Sequence, residues 1–479
     1  MNDSPPAQDA PPAPAGGAGG AAAAGAPAAL APGDHRPALA PGDHRRLGRE
    51  LALFASDPLL PAGMPIWLPA GAAVRHELER YILDAERAAG YQHVYSPPLG
   101  RKEMYEISGH WEHYAGAMFP PMDDGGGRPG HGGQIVLRPM NCPHHIVAYR
   151  SRPRSWRELP LRIAELGAMF RNEPSGSLCG LSRVRAMVLN DAHHFIDPGM
   201  IAGEVALVVS MIEDAYAALG LSGHHYRLSL RGDPAGSEPA GSDSAGRDPA
   251  GSAGHAIGHA IGHAAEPGGW DAAEAALAAA LDGLGVGYEP VRGEAAFYGP
   301  KIDVQMPGHG GRVETFSSIQ LDLQLPARFR LSYAGPAGPR RPVMLHRTVL
   351  SSMERCLSFL LEQHGGNLPV WLAPEQAVVL PVDPPDGAQA RAAAEVAGAA
   401  RSAGLRVEVD GADAPLGARM RRARLRRVPY RVVIGHREAP AGLVAVTLRD
   451  GRRLDPMPAA AFLARAASVA ATRSHGLWP

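Results

Sequence analysis

The chain has 479 residues, of which 45% are hydrophobic and 20% are charged, and its formal net charge is −1 at pH 7. This composition is typical of a globular protein of about two to four domains, and the near-neutral charge means that a polyanionic partner would need a local basic patch. Three cysteines exclude a disulfide framework, no apolar run reaches the roughly 18 residues of a membrane span, and the N-terminus has no secretory signal, so we expect a cytoplasmic protein.

Two low-complexity tracts stand apart from the rest of the chain. Residues 1–42 are rich in Ala, Pro and Gly and predict a disordered tail, because such a segment buries too little apolar surface to order itself. Residues 232–267 carry DPAGS-type units followed by His255, His259 and His263 at intervals of four. These histidines could form a metal-binding tract, but we prefer an expanded repeat in a surface loop, since the glycines between them oppose a helix.

Residues 43–367, which contain the second tract as an insert, predict an α+β domain. Helical periodicity covers 44–54, 74–90 and 200–220. The strand-like segments are 91–99, which Pro97 and Pro98 stop, and 133–140, 161–173 and 183–197. Several strands of antiparallel character with few helices between them favour a domain built on an antiparallel sheet.

Residues 368–479 predict a small α/β domain, because strands there alternate with helices. The predicted strands are 376–383, 405–410 and 430–436, the helices are 388–404 and 416–427, and a hairpin covers 443–454. Helix 416–427 contains no acid and carries the arginines Arg419, Arg421, Arg422, Arg424, Arg426 and Arg427. This basic helix could be a solvated surface or could contact a phosphate backbone.

Cys142, in RPMNCPHH, has no CxxC partner and is a candidate metal ligand together with His193 and His346. One cysteine and two histidines from separated segments suit an open catalytic zinc site, in which three protein ligands leave a fourth position for substrate. Taken alone, a single cysteine is more often a small buried apolar residue.

The segment FRNEPSGSLCGLSRVR at 170–185 suggests a nucleotide site. Arg171 and Arg183 flank a Gly/Ser loop, and an arginine beside a triphosphate can make bidentate, charge-assisted contacts. Glu173 could accept a hydrogen bond from an exocyclic amine. Arg355, in SSMERC, follows small residues on a predicted helix and could hold the outer phosphates.

These motifs resemble those of class II aminoacyl-tRNA synthetases, and specifically of the threonyl-tRNA synthetase family, from about His44 to the C-terminus. Matching stretches include SGHWEHYAGAMF, RPMNCPHH, RNEPSGSLCGLSRVR, NDAHHF, AFYGPKID, PVMLHR and SSMER. The resemblance implies a class II catalytic fold, an anticodon-binding-type C-terminal domain, ATP-dependent activation of L-threonine, and transfer to tRNA. It also implies one Zn²⁺ per chain, Mg²⁺ with ATP, and a homodimer formed through the segment around Pro97.

The resemblance assigns roles residue by residue. The implied metal ligands are Cys142, His193 and His346; the amino-acid contacts are Asp191, Tyr298 and Leu189; and the ATP contacts are Arg171, Glu173, Arg183, Gln320 and Arg355. Arg171 and Arg355 are also implied catalytic residues, as is His110, which matches a histidine implicated in transfer to the ribose of tRNA. Glu438, Arg421 and Arg424 are candidate tRNA contacts, whereas His194 more plausibly packs than ligates.

The chain departs from the family pattern in several places. The predicted ordered part begins where the catalytic domain of the family normally starts, so we expect no N-terminal editing region. Leu189 replaces a usual Gln, Ser351 replaces a usual Gly, and Cys179 replaces a frequent His. Thr447 and Ala412 stand where the family often has arginines that read the anticodon.

These departures leave more than one function open. The chain could be an active threonyl-tRNA synthetase, conceivably an inhibitor-tolerant second copy. Alternatively, it could be a synthetase-like amino-acid ligase that loads a carrier protein or peptide. An inactive regulatory paralogue is a third reading, which the persistence of the metal and phosphate residues disfavours.

Overall fold

A computed structural model describes residues 39–124, 133–232, 269–383 and 387–479. Except for a few boundary residues, the predicted disordered tail and the low-complexity insert lie outside these residues, as do the three histidines of its tract. In the described ranges, no helix is both long enough and apolar enough to cross a membrane.

The described residues form the following elements. The helices are α1 (His44–Glu50), α2 (Pro69–Ala88), α3 (Lys102–Ser108), α4 (His110–Tyr114), α5 (Cys142–Arg150), α6 (Ile201–Leu219), α7 (Gly269–Gly283), α8 (Leu325–Arg328), α9 (Met353–His364), α10 (Ala388–Ser402), α11 (Leu416–Leu425), α12 (Glu438–Ala441) and α13 (Ala459–Ala471). The first ten strands are β1 (Phe54–Ala55), β2 (Ile66–Trp67), β3 (Gln92–His93), β4 (Leu99–Arg101), β5 (Met122–Asp123), β6 (Gln134–Leu137), β7 (Leu161–Phe170), β8 (Ala186–Ile196), β9 (His225–Leu230) and β10 (Tyr288–Arg292). The others are β11 (Lys301–Pro307), β12 (Val313–Asp322), β13 (Tyr333–Gly335), β14 (Gly338–Arg340), β15 (Val343–Ser352), β16 (Ala377–Pro381), β17 (Val407–Val409), β18 (Tyr430–Ile434), β19 (Leu443–Leu448) and β20 (Met457–Pro458).

The main sheet has eight strands in the order β10-β9-β11-β12-β15-β8-β7-β3. Only its edge pairs, β10 with β9 and β3 with β7, are parallel; the central pairs are antiparallel. Strand β15 is buried almost throughout and β8 is buried from Asn190 onwards, and α2, α6 and α9 contribute to the large apolar core against this sheet. The predicted antiparallel α+β catalytic fold is therefore confirmed.

The second sheet has five strands in the order β17-β16-β18-β19-β20. Strand β16 pairs in parallel with β17 and β18, and α10 and α13 cover apolar side chains of the sheet. The predicted α/β C-terminal domain is confirmed, since parallel strands of this kind require helical crossovers.

Two predicted boundaries were wrong for identifiable reasons. The strand predicted at 91–99, with Pro97 and Pro98 as its stop, is only Gln92–His93, because the chain leaves the main sheet there and enters a separate three-stranded sheet as β4. The helix predicted at 74–90 begins earlier, at Pro69, where a proline suits the first helical turn.

Candidate active site

One face of the main sheet forms a pocket whose lining comes from alternating residues of neighbouring strands. Along β8, the lining residues are Met187, Leu189 and Asp191, and His193 is the next member of the same series. This follows from the period of two in a strand, which places every second side chain on one face. Of the residues that the sequence predicted, the pocket is lined by Cys142, Arg171, Glu173, Arg183, Leu189, Asp191, Tyr298, Gln320, His346, Ser351 and Arg355.

The strand register explains how distant parts of the chain meet here. Gln320, His346 and His193 are successive partners across β12, β15 and β8, so they form one row of the sheet. The next row contains Thr348 and Asp191. The candidate metal ligands His193 and His346 therefore lie in the same row of the sheet, and Asp191 lies two residues before His193 on β8, on the same face.

Cys142, His193 and His346 form a buried group at one end of the pocket, and their ligand atoms all lie within 4.8 Å of one another. The Nδ1 atom of His346 lies 3.3 Å from the Cys142 Sγ atom and 3.1 Å from the His193 Nε2 atom. Zinc bond lengths in a tetrahedron place such donors about 3.3–3.7 Å apart, so the three atoms are close to ligating geometry. Two imidazoles and one thiolate also suit zinc or another borderline-soft metal and leave one position open.

Burial controls the protonation of this group. It raises the pKa of the Cys142 thiol well above its ordinary value and lowers the pKa of His193 well below its ordinary value. Without a metal, the Cys142 thiol therefore keeps its proton and His193 is neutral, and a bound cation would have to displace the thiol proton. Burial also raises the pKa of Asp191, which shares the pocket.

The neighbouring residue His194 takes no part in the metal group. Its Nε2 atom lies 2.8 Å from the Tyr91 hydroxyl, and its Nδ1 atom lies 2.9 Å from the Glu204 carboxylate. Because consecutive strand residues point to opposite faces, His193 and His194 cannot both face the pocket.

Tyr298 and Gln320 meet beside the metal group. The Tyr298 ring stacks on the His346 ring at a centroid distance of 5.0 Å, and the Tyr298 hydroxyl donates a hydrogen bond to Gln320. These two residues, predicted for the amino acid and for ATP respectively, are therefore adjacent to one another.

The opposite part of the pocket is basic. The Arg183 guanidinium pairs with Glu173 at 2.9 Å, and Arg355 on α9 donates to the carbonyl oxygens of Ser182 and Thr315 at 3.1 Å. Within the described residues, the Arg171 guanidinium has neither a hydrogen bond nor an ion-pair partner, although it lines the pocket. A half-buried arginine of this kind is available to an anionic ligand.

His110 does not line the pocket. It is fully buried, its Nδ1 atom lies 2.7 Å from the Ser108 hydroxyl, and its Nε2 atom lies 3.2 Å from the Met140 sulfur. Burial lowers the pKa of His110 to about 3, so it is neutral at physiological pH. Its predicted role in group transfer stays a prediction that would require this ring to become accessible.

Ser351 lies in a register break between β15 and β8 and has a left-handed backbone, with a φ of 56°. This conformation costs a residue with a Cβ atom energy that a glycine does not incur. Ser351 lines the pocket near Arg355.

The basic helix α11 is only partly free. Arg419 is 3% exposed and donates to the Pro381 and Asp410 carbonyl oxygens at 2.8 Å. Arg422 pairs with Asp410 and Arg426 with Glu375, both at 2.9 Å. Arg421 and Arg424 are exposed and have no acidic partner in the part of the chain that the structure describes, and they are the two arginines predicted to bind tRNA.

The third candidate tRNA contact, Glu438, also has a local role. It begins α12 and its carboxylate accepts the Gly435 N–H at 3.0 Å.

Sequence reasoning missed two residues behind the metal group. His145 lies one helical turn after Cys142 on α5, and its Nδ1 atom is 2.8 Å from the His193 Nδ1 atom. Asp322 lies 2.9 Å from the His346 Nε2 atom. The spacing of His145 from Cys142 was the one available signal, whereas nothing local points from Asp322 to His346.

Comparison with known proteins gives two family matches. Residues 130–364 match the model of the tRNA synthetase class II core domain (G, H, P, S and T), and residues 376–467 match that of an anticodon binding domain. The first range contains the lining residues of the pocket except Tyr114, and the second contains the five-stranded sheet.

Individual relatives and structures agree with these matches. The chain is 45% identical over 420 residues to the threonine–tRNA ligase of Anoxybacillus flavithermus, covering 88% of this chain and 60% of that protein. It is 46% identical over 403 residues to threonine–tRNA ligase 1 of Bacillus subtilis, covering 84% and 58%. A crystal structure described as the RNA binding domain of threonyl-tRNA synthetase from Cryptosporidium parvum matches with a TM-score of 0.77 and 32% identity, covering 89% of this chain and 98% of that one. The chain thus spans about 60% of the length of the curated relatives.

Proposed function

Because the chain belongs to the threonyl-tRNA synthetase family of class II enzymes, we propose that it activates L-threonine with ATP and transfers the threonyl group to tRNA. The observation that carries this proposal is a single pocket with a Cys/His/His group at one end and arginines at the other. Such a pocket fits a small amino acid joined to a nucleotide phosphate.

In the proposed activation step, the threonine carboxylate attacks the α-phosphorus of ATP and pyrophosphate leaves. The protein forms no covalent bond, so its contribution is to orient the reactants and neutralise charge. Arg171, whose guanidinium is unpaired in the described residues, suits the α-phosphate, and Arg355 suits the outer phosphates. Arg183 would exchange its pairing with Glu173 for nucleotide contacts. Mg²⁺ bound to ATP would share in the neutralisation.

Selection of threonine is proposed to depend on the metal end of the pocket. Cys142, His193 and His346 would hold Zn²⁺, which when bound supplies a Lewis-acidic position for the amino and hydroxyl groups of the substrate. The Asp191 carboxylate lies where it could accept the substrate hydroxyl, and Tyr298 stacks beside His346. Valine lacks the hydroxyl and would leave buried polar groups unpaired, so it should be rejected by about 10⁴-fold or more. Serine lacks only a methyl group and should be rejected by only about 10–200-fold.

Transfer to tRNA is supported by the C-terminal part of the chain, which matches an anticodon binding domain. Arg421 and Arg424 present exposed positive charge on α11 that no acid of the described ranges pairs with, as expected of a surface that contacts a phosphate backbone. The cytoplasm is the proposed location because that is where this partner is charged.

A homodimer is also proposed, and exposed apolar residues near Pro97 support it. Tyr95 is 94% exposed, and Leu99, Ile107 and Met122 are large, exposed apolar side chains on the small sheet β4-β6-β5 or on α3, which packs on it. Apolar surface of this kind marks interaction sites more often than free surface. Sedimentation of the wild type against Leu99→Glu tests this: we expect a dimer that the substitution weakens, and a wild-type monomer at micromolar concentration would contradict the proposal.

The test of the main proposal is a pair of assays on the full chain. Amino-acid-dependent ATP–pyrophosphate exchange is measured across the twenty amino acids, and charging of bulk tRNA is then measured with the amino acid that works. We expect exchange with threonine and more weakly with serine, followed by charging. Arg171→Ala should abolish exchange, while Arg422→Gln, whose side chain pairs with Asp410 away from the pocket, is the matched control.

The outcomes separate the competing functions. Exchange without charging would favour a ligase that loads a carrier protein or peptide, and exchange with an amino acid other than threonine would overturn the substrate. A second-copy role that tolerates an inhibitor of the housekeeping enzyme is tested by growth, since Leu189 and Ser351 both line the pocket. Failure to replace the housekeeping enzyme with or without the inhibitor would exclude that role.

A further inference from the structure

A chain of buried hydrogen bonds extends behind the metal group, away from the pocket. The His193 Nδ1 atom lies 2.8 Å from the His145 Nδ1 atom, and the His145 Nε2 atom lies 3.2 Å from the Glu165 carboxylate. Both histidine side chains are fully buried and Glu165 is 4% exposed. Solvent therefore cannot supply the protons or lone pairs that these atoms need.

The positions of the protons along this series of hydrogen bonds are determined by its two ends, the His193 Nε2 atom and the Glu165 carboxylate. Because the His193 Nε2 atom faces the His346 Nδ1 atom at 3.1 Å, it is the metal-binding nitrogen and must carry a lone pair. The proton of His193 is then on Nδ1, where it can be donated only to an unprotonated Nδ1 of His145. The proton of His145 is in turn on Nε2 and is donated to Glu165.

Glu165 is held as a group that only accepts. Its Oε1 atom receives the Ser96 backbone N–H at 3.1 Å and an Arg138 N–H at 3.0 Å, and its Oε2 atom receives the Ser96 hydroxyl at 2.6 Å. Burial alone would raise the pKa of Glu165, but the hydrogen bonds from His145, Ser96 and Arg138 lower it to about 2. Glu165 is therefore ionised at any pH at which the protein works.

We propose that His145 and Glu165 are positioning residues for the metal centre: together they fix the tautomer of His193 so that its Nε2 lone pair is aimed at the cation. This inference rests on the proposed metal-dependent function. Outer partners of this type orient ligands and commonly change metal affinity by about 10–100-fold when removed. The helix also explains the arrangement, since Cys142 and His145 lie three residues apart on α5 and so share one face.

Replacement of Glu165 by glutamine is a specific test of this mechanism. At the Oε1 position an NH₂ group would face two obligatory donors, the Ser96 N–H at 3.1 Å and an Arg138 N–H at 3.0 Å. At the Oε2 position it would face only a longer Arg138 contact at 3.4 Å and the Ser96 hydroxyl, which can rotate to accept, so the NH₂ group would take the Oε2 position. There it favours the other tautomer of His145, which would present an N–H to the N–H of His193. The substitution thus changes one atom, and relief of this N–H to N–H contact would move the His193 proton to Nε2, the nitrogen that has to bind the metal.

Two substitutions at His145 distinguish the effect of its hydrogen bond on metal affinity from the effect of its side-chain volume. His145→Leu removes the acceptor for the His193 N–H, whereas His145→Gln keeps an acceptor in its side-chain carbonyl. His144→Gln is the matched control, because His144 is the adjacent buried histidine on α5 but points to the Leu99 carbonyl at 3.4 Å.

The experiment measures Zn²⁺ affinity of the full chain by competition with a chromophoric chelator, and Co²⁺ binding by its thiolate charge-transfer absorption. Thermal unfolding of the metal-free proteins checks that each variant is folded. We expect Glu165→Gln and His145→Leu to bind Zn²⁺ about 10–100-fold more weakly than the wild type. We expect His145→Gln and His144→Gln to remain within about threefold of the wild type.

Each outcome decides between specific alternatives. Folded Glu165→Gln and His145→Leu proteins that bind metal as the wild type does would overturn the positioning role alone. Equal loss in His145→Leu and His145→Gln would also overturn it, since bulk rather than the acceptor would then matter. If Glu165→Gln does not fold, the comparison of the two His145 variants decides. A wild-type chain that takes up no metal would overturn the proposed metal centre and this inference together, and normal uptake without threonine-dependent exchange would overturn the proposed function alone.

Discussion

Replacement of Ser351 by glycine should stabilise the protein. Ser351 has a φ of 56° and is 4% exposed, so its Cβ atom is held in the left-handed region with no freedom to relax. That conformation costs a residue with a Cβ atom about 1–2 kcal/mol. Glycine avoids this cost but gives the unfolded chain extra freedom worth about 0.4–1 kcal/mol. The net expectation is a gain of about 0.5–1 kcal/mol in the free energy of unfolding.

The comparison of serine, alanine and glycine at this position isolates the cause. Ser351→Ala keeps the Cβ atom and hence the strain, so its free energy of unfolding should equal that of the wild type within about 0.5 kcal/mol. Urea unfolding, followed by tryptophan fluorescence, measures all three proteins. A glycine variant no more stable than the alanine variant would refute the argument from strain, and a more stable alanine variant would show that the hydroxyl, not the backbone, is responsible.

The other predictions concern acid–base balance, substrate affinity and tRNA binding. Burial raises the pKa of Glu375 to about 7. An acid whose pKa is higher in the folded than in the unfolded state makes the fold less stable as pH rises from about 4.5 to 7. Urea titrations should therefore find Glu375→Gln more stable than the wild type by about 1–3 kcal/mol at pH 8 but not at pH 4, and equal differences at both would contradict this. Leu189→Gln places an amide in the pocket, two residues before Asp191 on the same strand. It should lower the threonine KM in pyrophosphate exchange by about fivefold, which is the equivalent of one added hydrogen bond. An unchanged KM would count against Leu189 as an amino-acid contact. Joint replacement of Arg421 and Arg424 by Gln should raise the KM for tRNA and reduce the salt dependence of binding by about two phosphate contacts, with pyrophosphate exchange unchanged; loss of both activities would indicate a folding defect instead.

Much of the fold could be predicted because periodicity is a local property. Strands β7 and β8 and helix α6 match the predicted segments within a few residues, since apolar spacing and a terminal glycine specify them. The errors occurred where a local pattern meets a constraint from elsewhere. The strand predicted to stop at Pro97 and Pro98 already ends at His93, where the chain leaves the main sheet for a separate one.

The candidate site was predictable in its residues but not in its partners. Cys142 and His193 could be singled out by residue type, and the resemblance to a family then supplied their roles. His145 and Glu165 could not be found in that way, because a buried histidine and a buried glutamate are usual in many structural networks. Their relation to His193 depends on strand register and on how α5 packs over the sheet.

The sequence by itself indicated the two kinds of sheet, a part of the helices and strands, and the side chains able to bind a metal or a phosphate, because these depend on composition and spacing along the chain. Strands β9, β10, β11, β12 and β15 of the main sheet were not predicted. Only the tertiary structure decided which of these side chains are available. It buried His110 and Arg419 and gave Ser351 a left-handed backbone. Among the residues that the structure describes, it left Arg171, Arg421 and Arg424 without acidic partners. It also brought Cys142, His193 and His346 together from separate segments. These outcomes depend on contacts between residues far apart in the chain. Such contacts are set by the register between strands and by the packing of helices, which no local sequence pattern specifies.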